Sequence, residues 1–154
     1  MYTFVEHTRD VDGEPWVAIE RFSREPVEFV PAPAHPLEDG RWRTSVGAGR
    51  LHHGVLLTVG NVWTLPDAWI RPIAWTPSRH REARVPLLPD FAGRLALRQY
   101  DTGLRLEVAG HYHPPLGRAG EIIDAWRLNE VAESTVADFA DGIANALTSD
   151  LTTA

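Results

Sequence analysis

The last third of the chain joins an alternating strand, a proline-containing break and one long amphipathic helix. Apolar and polar residues alternate over residues 104–112, the pattern of a strand with one buried and one solvated face. Pro114 and Pro115 cannot donate to a β-ladder, and Gly117 allows the chain to turn. From residue 120 to residue 147 apolar side chains recur at helical spacing. A helix of roughly 28 residues is about 40 Å long, enough to cross a small sheet.

The first 36 residues predict one strand and two short helices. Residues 2–11 alternate as a strand does, and Asp12 is positioned to cap a helix with Pro15 in its first turn. Four prolines between residues 26 and 36 leave room for a single helical turn at residues 27–30.

The middle of the chain predicts a meander of strands. Alternating patterns predict strands at residues 41–47, 52–63, 69–75, 93–100 and 104–112. Short turns such as residues 101–103 favour antiparallel hairpins, and residues 76–89 are expected to form a long loop. The element order predicts an α+β fold in which a long C-terminal helix lies across a curved antiparallel sheet.

Composition limits the domain count and the partners. With 154 residues, 44% of them hydrophobic, we expect a single domain spanning residues 1–154. The net charge is −6 and the arginines are scattered, which argues against a nucleic-acid surface. No apolar run is long enough for a membrane span and the N-terminus does not resemble a signal peptide, so we expect a cytoplasmic protein.

Several chemistries find no support in the residues. The chain has no cysteine and no lysine, which excludes thiolate and Schiff-base catalysis. None of the nucleophile-elbow, phosphate-loop, dinucleotide or zinc-protease motifs occurs. His111 and His113 could offer two metal ligands with Glu107, but the alternation places them on the solvent face. We therefore expect no metal site and no cofactor.

Several motifs resemble one protein superfamily. They are YHPPLG at residues 112–117, followed by Gly120 and Asp124, then VAESTV at 131–136, IAW at 73–75 and LPDFAGRL at 88–95. These motifs resemble bacterial members of the START-like helix-grip superfamily (SRPBCC), which includes polyketide cyclases. The resemblance is carried by residues 69 onward, and the earlier part agrees in element order only. It implies a curved sheet wrapped on the C-terminal helix with two short helices after the first strand.

The helix-grip fold implies a cavity between sheet and helix. Aromatic residues that could line it are Trp63, Trp69, Trp75, Tyr112, Trp126 and Phe139. The same rings could instead fill the core. Ligand pockets are mostly apolar with a few placed polar groups, so the distinction depends on whether space remains between the rings.

Asn129 and Glu133 fall within the apolar stripe of the predicted helix. A buried carboxylate needs a partner, and Arg71, on the strand between Trp69 and Trp75, is our first choice. Glu133 would then be either half of an internal ion pair or a ligand anchor. With its pKa raised by desolvation, it would also be our candidate catalytic acid or base.

Three functions are compatible with this sequence. The first is binding of an apolar or aromatic, lipid- or polyketide-like compound by a monomer or homodimer. The second is a polyketide cyclase, aromatase or dehydratase-like enzyme that uses the same cavity. The third is an interaction protein that uses its outer surface. The sequence does not name the ligand.

Overall fold

The structure, a computed structural model, describes residues 3–48, 51–78, 90–113 and 125–148, with the side chains of residues 48, 51, 52 and 125–129 left aside. The strands are β1 (Thr3–Val11), β2 (His35–Pro36), β3 (Trp42–Ala48), β4 (Leu51–Val59), β5 (Trp63–Leu65), β6 (Ala68–Pro77), β7 (Asp90–Tyr100) and β8 (Gly103–His113). The helices are α1 (Pro15–Phe22), a 3-10 helix (Pro26–Glu28) and α2 (Ala125–Leu147).

The strands form one antiparallel sheet. Its order is β1-β8-β7-β6-β4-β3-β2, and β5 pairs with β6 outside this path. Strands β6, β7 and β8 are antiparallel neighbours in the order in which they occur in the chain. Strand β1 pairs with the edge of β8 that does not face β7. The first and last strands of the chain are therefore neighbours.

Helix α2 packs across the inner face of this sheet. It contacts both β1 and β3, which stand almost at opposite ends of the strand order, so the sheet curves around the helix. Its buried side chains are Ala132, Thr135, Val136, Phe139, Ala140, Ile143, Ala144 and Leu147. The predicted α+β fold, with the long helix laid over a curved antiparallel sheet and short helices after β1, is confirmed.

One row of inward side chains crosses the centre of the sheet. The register places Leu57, Trp75, Phe91 and Tyr112 side by side on β4, β6, β7 and β8. All four are buried. Residues far apart in the chain therefore form one apolar band beneath α2.

Gly93 and Gly110 are opposite each other in the next row. A Cβ on Gly93 would lie 2.0 Å from the carbonyl oxygen of Ala109, and one on Gly110 would lie 2.4 Å from that of Ala92. Such a Cβ on Gly110 would also meet the ring of Phe91 at 2.8 Å. Only glycine permits this approach of the two backbones, which sets the positions of β7 and β8 beside the aromatic row.

Two predictions need correction: the end of the strand at residues 52–63 and the residue that caps α1. The strand predicted at residues 52–63 ends at Val59, because Gly60 donates its N–H to the carbonyl of Pro72 and the chain then starts β5. Asp12 does not cap α1. The N-cap is Glu14, which makes no side-chain cap hydrogen bond, while its carbonyl accepts from Val17 and Ala18.

The bounds of the remaining predicted elements agree with the observed bounds within a few residues. The short strand β2 was not predicted. The single helical turn occurs as the 3-10 helix Pro26–Glu28 rather than at residues 27–30. Strand β6 extends to Pro77, into the predicted loop, and residues 79–89 lie outside the described part of the chain. The predicted helix start at residue 120 also lies outside it.

Candidate functional site

An aromatic cluster connects the middle of the sheet to α2. The rings of Trp75 and Phe91 stack with centroids 4.5 Å apart and an interplanar angle of 26°. Phe139 from α2 meets Trp75 edge to face, with centroids 5.1 Å apart. Alternation along β6 and β7 points both sheet rings inward, and helical periodicity directs Phe139 toward them. The cluster therefore joins the middle of the sheet to α2 within the hydrophobic core.

Among the residues that the structure describes, three enclosed side-chain polar atoms have no hydrogen-bond partner. One is Nε2 of His7 on β1, and the other two are the indole Nε1 of Trp75 and the hydroxyl Oγ1 of Thr135. Thr135 stands four residues before Phe139, so the two side chains project from the same side of α2. Leaving such a group unpaired costs about 1–3 kcal/mol, so the Trp75 and Thr135 atoms are candidates to bond to a ligand atom.

Tyr112 brings another polar group to the interior. Its side chain is buried, and this burial is the main cause that raises the pKa of the phenol. A hydrogen bond with the Thr3 side chain lowers the same pKa, and the Glu133 carboxylate raises it. The net shift is upward. The phenol is therefore protonated at neutral pH, so it can donate a hydrogen bond but cannot act as a base.

The predicted cavity residues divide into two groups. Trp75, Tyr112 and Phe139 are buried between sheet and helix, and Trp69 is half-buried against the core. Trp63 is 71% exposed, so its predicted place in the cavity is wrong. It belongs to the short strand β5, which pairs only with β6 and has every residue exposed.

The predicted pair of Arg71 and Glu133 does not form. Arg71 is buried, but its guanidinium donates to the carbonyl oxygens of Phe22, Arg24 and Gly60. Glu133 is exposed, because the buried stripe of α2 is centred on Val136 and Ile143 and Glu133 lies at its margin. The expected buried carboxylate is therefore wrong.

Two further predicted site residues, Trp126 and Asn129, have side chains outside the described part of the structure. The histidines are on the outer face as expected, with His111 exposed and its ring 5.5 Å from the ring of Phe4. His113 is half-buried. Within the described residues, no group of three or more histidine, aspartate or glutamate side chains is arranged to hold a metal ion.

Sequence reasoning missed Thr135, Phe91 and Thr3. Thr135 could have been found, because its spacing of four from Phe139 places it on the apolar side of the helix. Phe91 and Thr3 could not, since their positions beside Trp75 and Tyr112 depend on the strand register.

Comparison with known proteins identifies the fold. No protein-family model and no curated protein matches the sequence. The crystal structure of Ara h 8.0201 superposes with a TM-score of 0.50 at 13% identity, covering 96% of each chain. The human StarD13 (DLC2) lipid transfer and protein localization domain gives a TM-score of 0.44 at 15% identity, covering 95% of this chain and 77% of that domain.

The fold is similar to that of Ara h 8.0201, and its curved sheet around a long C-terminal helix is the arrangement that the motif resemblance implied. At this level of identity the likeness to Ara h 8.0201 concerns the fold alone. Among the described helices, none is both long enough and apolar enough to cross a membrane.

Proposed function

We propose that this chain binds an apolar or aromatic small molecule, lipid- or polyketide-like, between the sheet and α2. The supporting observation is that two enclosed polar atoms, Trp75 Nε1 and Thr135 Oγ1, have no hydrogen-bond partner among the described residues although they lie in a mainly aromatic and aliphatic interior. Interiors that only fill a core rarely leave two donors unpaired. A ligand with a suitable acceptor would satisfy them.

The surrounding residues suggest the chemistry of this ligand. The stacked rings of Trp75 and Phe91 and the edge of Phe139 favour a flat apolar body. The indole N–H of Trp75 can only donate, so the ligand needs an acceptor such as a carbonyl or ether oxygen. We infer an aromatic or polyene-like compound with at least one acceptor oxygen.

A dye titration with matched threonine variants tests the proposal. Prodan has a naphthalene body and one carbonyl acceptor, and its emission shifts to the blue on entering an apolar site. We expect saturable binding to the wild-type chain and about fivefold weaker binding to Thr135→Val, which keeps the shape but removes a hydrogen bond worth about 1 kcal/mol.

Thr148→Val is the control, because the Thr148 hydroxyl donates to the carbonyl of Ala144 at 2.7 Å and lies at the other end of α2. It should leave prodan affinity unchanged. Naphthalene, which has no acceptor, should bind the wild-type chain and Thr135→Val equally. Absence of saturable prodan binding, or equal affinity in wild type and Thr135→Val, would contradict the proposal.

A second candidate function is a polyketide cyclase, aromatase or dehydratase-like enzyme acting in the same space. The observation that favours it is the protonated phenol of Tyr112 beside the Thr3 side chain, with Glu133 acting on it electrostatically. In such an enzyme Tyr112 would donate a hydrogen bond to a ligand carbonyl and so polarise it. Tyr112→Phe should then abolish turnover of a poly-β-keto substrate while leaving prodan affinity within about twofold.

The proposal also comprises one START-like domain over residues 1–154, a cytoplasmic location and a monomer or homodimer. Analytical ultracentrifugation of the purified chain distinguishes the two oligomeric states. Native mass spectrometry of the same sample would reveal a retained compound and its mass.

A further inference from the structure

A groove of about 790 Å³ opens on the side of the molecule where α1 ends. Its walls are the segment from Ser23 to Glu28, the turn before β3, and the ends of β4 and β6. None of its described lining residues belongs to α2, so it is separate from the site between sheet and helix. Arg71 lies at its base.

The guanidinium of Arg71 is fixed in place by backbone carbonyls. Nε donates to Gly60 at 2.8 Å, and Nη1 donates to Phe22 at 2.8 Å and to Arg24 at 2.6 Å. The residue is 7% exposed, and its Cζ lies 5.4 Å from the ring centroid of Phe29. A side chain held at four points has little rotamer freedom left to lose when a ligand binds.

One edge of this guanidinium remains unused. Nη2 has no hydrogen-bond partner among the described residues. It is also not one of the fully enclosed side-chain atoms that lack a partner, such as Trp75 Nε1. Arg71 is one of the residues that line the groove, and Nη2 carries two N–H groups that no described residue accepts. The buried cation also makes no ion pair with a carboxylate in the described structure, and burial lowers its pKa.

The other arginines of the groove are already neutralised. Arg24 pairs with Glu20 and Glu28, and Arg41 pairs with Asp39 at 2.6 Å. Arg71 is therefore the arginine of this groove without an ion pair among the described residues, and Glu25 acts on it only at longer range.

Glu25, a carboxylate of the walls, limits the charge that a ligand can carry. It would repel a phosphate dianion more strongly than a single carboxylate. The walls also present apolar surface: Val27 is 53% exposed, and Leu37 and Trp42 are half-buried. The groove is thus suited to a ligand with one negative charge and a short apolar body.

We propose that this groove is a second binding site, for a singly charged amphiphilic carboxylate whose head group bonds to Arg71 Nη2 and whose chain lies over Val27, Leu37 and Trp42. The proposal does not depend on the site beneath α2. Its ligand differs in charge, and its residues come from other elements.

Calorimetric titration with octanoate below its micelle concentration tests this site. Val27→Glu and Val27→Lys place opposite charges on an exposed wall without altering Arg71 or its bonds. We expect octanoate affinity to fall about threefold in Val27→Glu and to rise about threefold in Val27→Lys, the size expected for one charge acting across several ångströms of solvent.

Three sets of controls distinguish the effect of an added charge outside the groove, of the head group of the ligand and of the Arg71 side chain. Leu65→Glu adds the same charge at an exposed position on β5 outside the groove and should leave octanoate affinity unchanged. Octanol and octyl phosphate should both bind more weakly than octanoate. Arg71→Lys keeps the charge but lacks the planar fork, and is expected to weaken binding if it folds.

Equal octanoate affinity in the two Val27 variants, or no binding to the wild-type chain, would overturn the proposal. Equal or tighter binding of octanol or octyl phosphate would also overturn it, because the head-group assignment would be wrong. Affinity for octanoate that falls in Thr135→Val but not in Val27→Glu would place the ligand beneath α2 and refute the groove site.

Discussion

Trp75 on β6 and Phe139 on α2 meet edge to face, with ring centroids 5.1 Å apart and an interplanar angle of 65°. Both side chains are almost fully buried. Aromatic pairs in this geometry contribute about 0.5–1.5 kcal/mol beyond the area they bury. This contact joins the helix to the middle of the sheet.

Removing the helix ring should destabilise the protein strongly. For Phe139→Ala we expect the free energy of unfolding to fall by about 3–5 kcal/mol, because a buried phenyl group is lost and a cavity remains beside Trp75. Urea denaturation followed by circular dichroism measures this change. The exposed Asn145 on the same helix provides the control Asn145→Ala, expected within about 0.5 kcal/mol of wild type. A loss below 1 kcal/mol for Phe139→Ala would indicate that α2 is not packed as described.

Replacing the unpartnered hydroxyl should stabilise the unliganded chain. Thr135→Val removes a buried oxygen that bonds to nothing described, so we expect the free energy of unfolding to rise by about 1 kcal/mol. Thr148→Val loses a hydroxyl bonded to Ala144 and should show no such gain. Paired thermal or urea denaturation of the two variants measures the difference. Destabilisation of Thr135→Val would mean that its hydroxyl has a partner.

The two facing glycines should not tolerate a methyl group. We expect Gly110→Ala to cost about 3 kcal/mol or more, because the new Cβ would collide with the backbone of β7 and with Phe91. Gly54→Ala is the control, since its Cβ would meet only the hydroxyl of Ser78, a side chain able to rotate away. Denaturation midpoints compare the two. Wild-type stability in Gly110→Ala would be incompatible with the described approach of β7 and β8.

Alkaline pH should weaken the fold through Tyr112. Its phenol has a raised pKa, so above the ordinary value of 10.0 the native state retains a proton that the unfolded state has lost. The stabilising contribution is therefore complete below pH 10 and declines as the pH rises toward the native pKa.

Unfolding free energies measured at several values from neutral to strongly alkaline pH would display this decline. Tyr112→Phe should flatten it, whereas Tyr100→Phe, at the exposed end of β7, should retain it. An identical pH dependence in wild type and Tyr112→Phe would assign the decline to other groups.

The periodic parts of the chain could be predicted because their patterns are local. Alternation over residues 104–112 correctly assigned Leu106 and Tyr112 to the buried face of β8 and His111 to the outside. Helical spacing in the same way identified the stripe of Val136, Phe139 and Ile143 on α2. These predictions needed only the geometry of single elements.

The errors arose where pairing partners mattered. Trp63 continued the alternation of β4, but the chain turns at Gly60 and places that ring on an exposed strand. Glu133 lies at the margin of the buried stripe of α2. The helical pattern alone placed the centre of this stripe too close to Glu133. The expected bond from Arg71 to Glu133 failed because three nearby carbonyls already hold the guanidinium.

By itself the sequence determined the class of fold, since an alternating meander followed by a long amphipathic helix can bury both apolar faces in few other ways. Only the tertiary structure decided which side chains meet: Phe91 lies beside Trp75, Thr135 has no partner among the described residues, and Arg71 lines a groove. Periodicity specifies the face on which a residue lies. Strand register and helix placement specify its neighbours, and binding sites are made of neighbours.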